Sequence, residues 1–449
     1  MINKNISILS IVFILLNNCS FDTKTGIWGD SAKEKKRITE LKKKQEEVIK
    51  VEKIFSSENI FNKEISLNKN INLSKTKNNL LWLMPNLNYQ NFLGNIYLSG
   101  VDNIYLKKKI GKNKFSTYQS FSSILVSKSN IIFSDDTGTI FSISETGKVI
   151  WKKNIYKKAY KKINKKLVLS IYESNIFVAD NIGFVYSINL NEGKLLWIRN
   201  YEIPIKSNIK VFDNKIFLTN QDNKIFCLNT EDGSLIWNIL SMSSFIKSQN
   251  LLSLAITREG DLIAITSSAD IYKIKVQSGT VLWARNTADS LYANATDFFV
   301  SSEIVIDEDS VIFSSGVNTF SLDLNNGNTN WKQQISSISA PIISGENIFV
   351  VTNDGYFAIL DKNSGRIISS SNILKILKSK KQKTKVRSFI MGSDKIYSTT
   401  FNGFLIVSSA TSGKPEYFKK IGESNISPLI INNGMLYMLN DDSKILVLN

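Results

Sequence analysis

The chain has 449 residues, 43% of them hydrophobic, and its formal net charge is +17. The apolar fraction excludes wholesale disorder and allows a large core. Histidine is absent and only two cysteines occur, Cys19 and Cys227, which excludes His-dependent catalysis, His-ligated zinc and Cys-rich metal sites. The basic residues are spread along a Lys-rich chain and lack the aromatic interleaving of a nucleic-acid groove, so we expect no nucleic-acid partner.

A signal peptide is predicted at the N-terminus. A lysine precedes eleven uncharged residues, 6–16, which is the length of a signal-peptide core and too short to span a bilayer. Cys19 follows closely, as in bacterial lipoprotein signals, although Asn18 stands where a smaller residue is usual. We predict that residues 1–18 are removed and that Cys19 is lipidated. An ordinary secretory signal with an incidental cysteine is the alternative.

Residues 19–79 form a polar, Lys-rich stretch. Apolar residues recur near helical spacing within residues 32–55, which predicts a short amphipathic helix there. The stretch as a whole is interpreted as a tether between the membrane and the body of the protein. An arm that packs on the body is the alternative.

A short phrase, Gly-x-x-x-Trp, recurs along most of the remaining chain. Successive glycines lie 38 to 48 residues apart, a period typical of β-propeller blades. Short β-branched and aromatic runs separated by Asn, Asp and Gly turns precede each copy, which indicates antiparallel hairpins. Five intact copies end at Trp151, Trp197, Trp237, Trp283 and Trp331, and two degenerate copies end at Ser369 and Tyr417. The repeat predicts an all-β propeller of four-stranded antiparallel blades over residues 80–449.

The ends of this region decide the predicted number of blades. Seven phrases give seven outer strands, and three further strands follow Tyr417 without a closing phrase. Leu106 begins the run Leu-Lys-Lys-Lys-Ile-Gly, which matches Tyr-Phe-Lys-Lys-Ile-Gly from Tyr417 and so supplies the missing strand. We predict eight blades closed by an N-terminal strand, with seven blades as the alternative. Closure removes the exposed sheet edges that invite aggregation.

The phrase itself is interpreted as structural. Its glycine is expected in a tight turn with positive φ, and its Trp is expected to lie across the joint between neighbouring blades, with the ring N–H available to donate. Leu106 and Tyr417 are predicted to take the same docking position in their blades. Cys227 lies in a predicted strand and is interpreted as a small buried residue rather than a reactive thiol.

The phrase and its period resemble the tryptophan-docking repeat of pyrroloquinoline-quinone-type propellers. Within that group, a lipoprotein signal followed by a lone propeller resembles the BamB family of the outer-membrane β-barrel assembly machinery. The most specific matches are Trp82 with the following Pro-Asn-Leu-Asn segment from Pro85, the run from Leu106 to Gly111, and the ending from Ile426 to Met438.

The resemblance implies a non-catalytic scaffold lipoprotein without cofactor, lipid-anchored on the periplasmic face of the outer membrane of a Gram-negative bacterium. It implies binding to the POTRA domains of the barrel-inserting subunit, and it implies assistance to nascent outer-membrane proteins. Family contacts come from loops on one rim of the propeller. The matching loops here follow Trp237 and Trp283, and the implied contact residues are Phe245, Leu251, Leu252, Asp297 and Phe298.

A quinone-dependent dehydrogenase is the competing enzyme class, because such enzymes use the same repeat. They need a catalytic Asp, a calcium site and a disulfide between adjacent cysteines, and this chain has no adjacent Cys pair. Its acidic pairs, such as Asp135 and Asp136, fall in predicted hairpin turns, where Asp makes local hydrogen bonds, and they lack calcium-loop spacing. We predict no catalytic residue and no metal site.

A membrane-tethered ligand-binding propeller is the second alternative. Seven basic residues lie between Lys375 and Arg387, and such a cluster can attract anionic headgroups. A solvated loop of a Lys-rich protein is the simpler interpretation of the same residues.

Overall fold

The structure is a computed structural model that describes residues 36–41, 43, 61–115, 124–128, 130–241, 248, 251–288, 300–378, 384–422, 427–440 and 442–449. Residues 36–41 and 43 are helical, and two short 3₁₀ helices span Lys158–Lys162 and Ile373–Leu377. Within the described ranges, none of the helices has the length and apolarity that a bilayer crossing would require.

Thirty-two strands in the described residues form eight four-stranded antiparallel sheets, which are the blades of a β-propeller. The prediction of eight blades is confirmed, and the alternative of seven is wrong. Blades 1 to 7 follow each other along the chain, and in each of them the strands run in order from the axis to the circumference. Blade 8 combines the last three strands with the first strand of the ring.

The strand bounds are as follows. Blade 1 holds β2 (Leu125–Ser127), β3 (Asn130–Ser134), β4 (Thr139–Ser144) and β5 (Val149–Asn154), and blade 2 holds β6 (Leu167–Tyr172), β7 (Asn175–Asp180), β8 (Phe184–Asn189) and β9 (Leu195–Asn200). Blade 3 holds β10 (Lys210–Phe212), β11 (Lys215–Thr219), β12 (Lys224–Asn229) and β13 (Leu235–Leu240), and blade 4 holds β14 (Leu254–Ile256), β15 (Asp261–Ile265), β16 (Asp270–Lys275) and β17 (Val281–Asn286). Blade 5 holds β18 (Val305–Asp307), β19 (Ser310–Ser315), β20 (Asn318–Asp323) and β21 (Thr329–Gln333), and blade 6 holds β22 (Ile342–Ser344), β23 (Asn347–Val351), β24 (Tyr356–Asp361) and β25 (Ile367–Asn372). Blade 7 holds β26 (Val386–Gly392), β27 (Lys395–Thr400), β28 (Phe404–Ser409) and β29 (Pro415–Lys420), and blade 8 holds β30 (Ile430–Asn432), β31 (Met435–Leu439), β32 (Lys444–Leu448) and β1 (Ile104–Lys109).

The core lies between the blades. The second and third strands of each blade are apolar on both faces, because each blade packs a neighbour on either side. Phe177 and Val185 of blade 2, for example, share one buried cluster with Ile216 and Leu218 of blade 3. Burial of each such side chain stabilises the fold by about 1.5–3 kcal/mol. The outer strands are largely exposed.

The chain closes the ring with its own first strand. β1 pairs antiparallel with β32, and Leu106 lies opposite Val447. The register shifts between Ile104 and Leu106, and the outer strands of the other blades carry a similar shift just before their docking position. Leu106 therefore has on β1 the register position that the Trp residues have on the other outer strands.

Each Trp of the phrase reaches across to the next blade. The Trp151 ring nitrogen donates to the Leu190 carbonyl at 2.9 Å, and a Cβ built on Gly193 would lie 2.6 Å from the Trp151 ring. Trp197, Trp237, Trp283 and Trp331 make the same pair of contacts with the following blade. The glycine of one phrase thus makes room for the Trp of the phrase before it, which accounts for their co-occurrence.

Residues 79–100, which we call the axial segment, run around the centre of the ring. Trp82 exchanges two backbone hydrogen bonds with Val126 of blade 1. The carbonyls of Leu83, Tyr89 and Gln90 accept from blades 2, 4 and 5, and Ser99 N donates to blade 8. A single segment therefore ties together strands that are hundreds of residues apart in the chain.

Part of the stretch assigned to the tether packs on the ring. Ile65 exchanges two backbone hydrogen bonds of 2.9 Å with Ser370 on the outer strand of blade 6. Ser74 N donates to Ser344 Oγ at 2.9 Å on the innermost strand of the same blade. Residues 61–78 therefore pack along blade 6 as an arm, and Leu41 of the helical residues is buried as well.

Candidate partner-binding face

One face of the ring carries the connections from each outer strand to the next blade. We call it the loop face; its described residues include 135–138, 155–166, 241, 248, 251–253, 287–288 and 300–304. The glycines of the repeated phrase lie on the opposite face, where the third strand of a blade turns into the fourth. The described ends of the two loops implied as partner contacts by the family resemblance lie on the loop face.

The first of these loops follows β13. Leu240, at the end of that strand, is 72% exposed, and Leu251, at the end of the loop, is 42% exposed. Leu252 is fully buried, because its N–H donates to the Lys206 carbonyl at 2.7 Å and its carbonyl accepts from Asn208 at 3.2 Å. The two leucines implied as contacts thus differ: Leu251 is available at the surface, and Leu252 anchors the loop. Phe245 lies outside the described residues.

The second loop follows β17. Asp297 and Phe298 lie outside the described residues. Val300, the next described residue, is 41% exposed. The Val300 carbonyl accepts from Gly316 N at 2.9 Å, which holds this end of the loop against blade 5. Leu240, Leu251 and Val300 therefore place exposed apolar groups on the same face at blades 3 to 5.

The innermost strands beneath this face carry buried charge. Lys210 is fully buried, and its ammonium donates to the carbonyls of Pro85 at 2.9 Å and Asn88 at 2.7 Å in the axial segment. Burial lowers the pKa of Lys210 to about 7, an effect that the nearby Glu303 partly offsets. Burial also lowers the pKa of Lys206 to about 8. A desolvated ammonium with two carbonyl acceptors fixes the axial segment rather than presenting a surface to a partner.

Acidic side chains of the predicted turns make local hydrogen bonds or ion pairs. The Asp135 carboxylate accepts hydrogen bonds from the backbone N–H groups of Thr137 and Thr139 in its own turn. Asp307 forms an ion pair of 2.9 Å with Lys362. The described part of the chain contains no cluster of three or more acidic or cysteine side chains arranged to hold a metal ion.

The basic run near blade 7 is partly engaged. Lys375 lies in the second 3₁₀ helix and forms an exposed ion pair of 2.8 Å with Glu64 of the arm. The Arg387 guanidinium lies over the Phe401 ring, 5.3 Å from its centre. Residues 379–383, in the middle of the run, lie outside the described residues.

Comparison with known proteins places the chain in a family. A family model for the outer membrane protein assembly factor BamB matches residues 136–371, slightly more than half of the chain. The chain belongs to the BamB family. No curated protein matches its sequence significantly.

Solved structures share the fold. BamB from Moraxella catarrhalis superposes with a TM-score of 0.62 at 10% identity, over 76% of this chain and 99% of that one. A europium-containing methanol dehydrogenase gives 0.64 at 11% identity, over 80% and 89%. The quinohemoprotein alcohol dehydrogenase from Comamonas testosteroni gives 0.63 at 10% identity, over 82% and 80%. At such identities the likeness establishes the propeller fold alone.

Sequence reasoning missed Leu240 and Val300 as surface candidates. Leu240 ends an outer strand, Val300 ends a connecting loop, and neither belongs to the repeated phrase. Outer-strand positions alternate between the neighbouring blade and solvent, so counting from the docking Trp could have found Leu240, which is three residues after Trp237.

Proposed function

We propose that this protein is a non-catalytic scaffold of the outer-membrane β-barrel assembly machinery, anchored by a lipid on Cys19. Its loop face would bind the POTRA domains of the barrel-inserting subunit, and the complex would aid the insertion of nascent outer-membrane proteins. Membership of the BamB family carries this proposal.

Exposed apolar side chains on the loop face also support the proposal. Isolated exposed apolar side chains are common, but Leu240 and Leu251 flank one loop, and Val300 ends the next loop on the same face. Interface cores are enriched in large apolar groups surrounded by polar residues. Phe245, Asp297 and Phe298 belong to the same two loops and remain proposed contacts, whereas Leu252 would act by holding its loop in place.

The test is a pull-down of the barrel-inserting subunit from solubilised outer membrane with the lipidated protein as bait. The double variant Leu240→Asp with Leu251→Asp should lose the subunit. Leu196→Asp is the matched control, because Leu196 is 47% exposed on the outer strand of blade 2, away from these loops. Retention of the subunit by the double variant, or its equal loss in the control, would contradict the assigned face.

Quinone-dependent oxidation is the second candidate function, since two of the similar structures are dehydrogenases. The five phrase tryptophans are already packed between blades and donate their ring N–H groups to carbonyls. Saturable binding of a pyrroloquinoline quinone with calcium, together with dye reduction by an added alcohol, would favour the enzyme over the scaffold.

A further inference from the structure

A lysine-lined groove lies on the loop face at blade 1, between the loop that follows the closing strand β1 and the connection from blade 1 to blade 2. Its volume is about 590 Å³, within the range of small-molecule sites. Lys and Arg make up 56 of the 449 residues, so about two would be expected among the fourteen residues that line it. Six lysines are present: Lys112, Lys114, Lys152, Lys157, Lys161 and Lys165.

Three separate parts of the chain bring these lysines together. Lys112 and Lys114 lie on the loop that follows the closing strand β1, Lys152 lies on β5, and Lys161 lies in the last turn of the first 3₁₀ helix. Convergence of like charges from distant segments is unfavourable even where solvent screens it, so a compensating charge from the protein or from a ligand would be stabilising.

The protein compensates only in part. Asp136 accepts from the backbone N–H groups of Lys114 and Phe115 at 2.7 to 2.9 Å, and Asp135 accepts from Lys112 N at 3.1 Å. These two carboxylates thus fix the loop that carries the first pair of lysines, and together with the buried Asp180 they offset three of the six positive charges. Within the described ranges, no acidic side chain pairs with the ammonium groups of Lys112, Lys114, Lys152 or Lys161.

Buried aromatic and charged side chains form the floor of the groove. Tyr156 is buried there, and its hydroxyl donates to the buried carboxylate of Asp180 at 2.5 Å. Lys165 is 3% exposed; its ammonium lies 5.4 Å from the centre of the Tyr156 ring and donates to the Tyr160 carbonyl. The pKa of Lys165 is lowered to about 8, mainly by burial and to a small extent by the charge of Lys114, while Asp136, Asp180 and Asp135 oppose the shift. An anion in the groove would reverse that shift.

We propose that this groove binds an anionic ligand that carries two or more phosphate groups. The six lysines exceed the three nearby carboxylates, Asp135, Asp136 and Asp180, by three positive charges, which matches such a ligand. Lysines bind phosphate as mobile point charges, and all six basic residues that line the groove are lysines. The phosphates could belong to a soluble molecule or to a lipid headgroup.

The full-length chain should be titrated with inorganic tripolyphosphate by calorimetry, and its co-sedimentation with vesicles should be measured. The vesicles contain phosphatidylcholine alone or with one fifth cardiolipin, whose headgroup carries two phosphates. Replacement of two exposed groove lysines, K152Q with K161Q, should weaken binding about 30-fold. The control K148Q with K194Q removes the same charge from exposed lysines in the turns of the opposite face, and it should change binding less than about threefold.

Tripolyphosphate binding that depends on the groove lysines would support a soluble ligand, and cardiolipin binding with the same dependence would support a headgroup. Absence of binding to both probes would overturn the proposal. Equal weakening by the two double variants would also overturn it, because it would reveal only the general attraction of a protein with charge +17. None of these assays involves the assembly machinery, so their failure leaves the proposed scaffold function untouched.

Discussion

Replacement of Gly193 by alanine should disrupt the joint between blades 1 and 2, and its cost can be worked from two contributions. Gly193 has φ +67°, and an L-residue in this left-handed region costs about 1–2 kcal/mol. The new Cβ would lie 2.6 Å from the Trp151 ring, so the ring must move by roughly 1 Å to reach normal contact. That shift breaks the 2.9 Å hydrogen bond to the Leu190 carbonyl and costs about 1–3 kcal/mol more.

Gly316 provides the control for this substitution. It has a similar φ of +58°, yet a Cβ there would meet nothing within 4 Å. Gly316→Ala should therefore cost only the backbone contribution, about 1–2 kcal/mol, whereas Gly193→Ala should cost about 2–5 kcal/mol. The measurement is urea denaturation followed by far-UV circular dichroism, with equal m-values required before the free energies are compared.

A double-mutant cycle isolates the docking contribution. In a Trp151→Ala background the ring is gone, so Gly193→Ala should cost no more than Gly316→Ala. Equal costs for the two glycine substitutions in the wild-type background would refute the view that the glycine exists to admit the Trp.

Three further predictions concern Lys210, Cys227 and Leu106. Burial lowers the pKa of Lys210 to about 7. Between about pH 7 and pH 10 the unfolded chain therefore binds more protons than the folded one, so this residue makes the free energy of unfolding rise with pH. Lys210→Met should flatten that part of a stability–pH profile, and an unchanged slope would count against the lowered pKa of Lys210. Burial raises the pKa of the Cys227 thiol to about 12. In a Cys19→Ser variant at pH 8, a thiol reagent should therefore label Cys227 only after unfolding, and rapid labelling of the native protein would contradict this expectation. Leu106→Ala should lower the free energy of unfolding by about 1–2 kcal/mol, because it weakens the ring closure. Ile104 on the same strand is 54% exposed, so Ile104→Ala should cost under about 0.5 kcal/mol. Similar losses of stability in the two variants would mean that Leu106 has no docking role.

The candidate site was only partly accessible from sequence. The family resemblance pointed to Leu251 and Leu252 together, but alternation along an extended chain places neighbours on opposite sides, and only the backbone pairing of Leu252 with residues 206 and 208 decides which one is buried. The lysine groove left no sequence signal, because its residues come from both sides of the ring closure and are individually ordinary in a Lys-rich chain.

The sequence by itself determined the architecture. The spacing of the Gly-x-x-x-Trp phrase predicts the blade period, because the same residue types pack at the same place in successive blades. The match between the runs that begin at Leu106 and Tyr417 predicts the eighth outer strand. Tertiary structure alone decided the course of residues 61–100, because both their backbone hydrogen bonds and their side-chain contacts, such as those of Lys210 with the carbonyls of Pro85 and Asn88, are made with distant blades. It also decided which surface residues meet, since closing the ring juxtaposes residues that are far apart in the chain, such as Lys112 and Lys161.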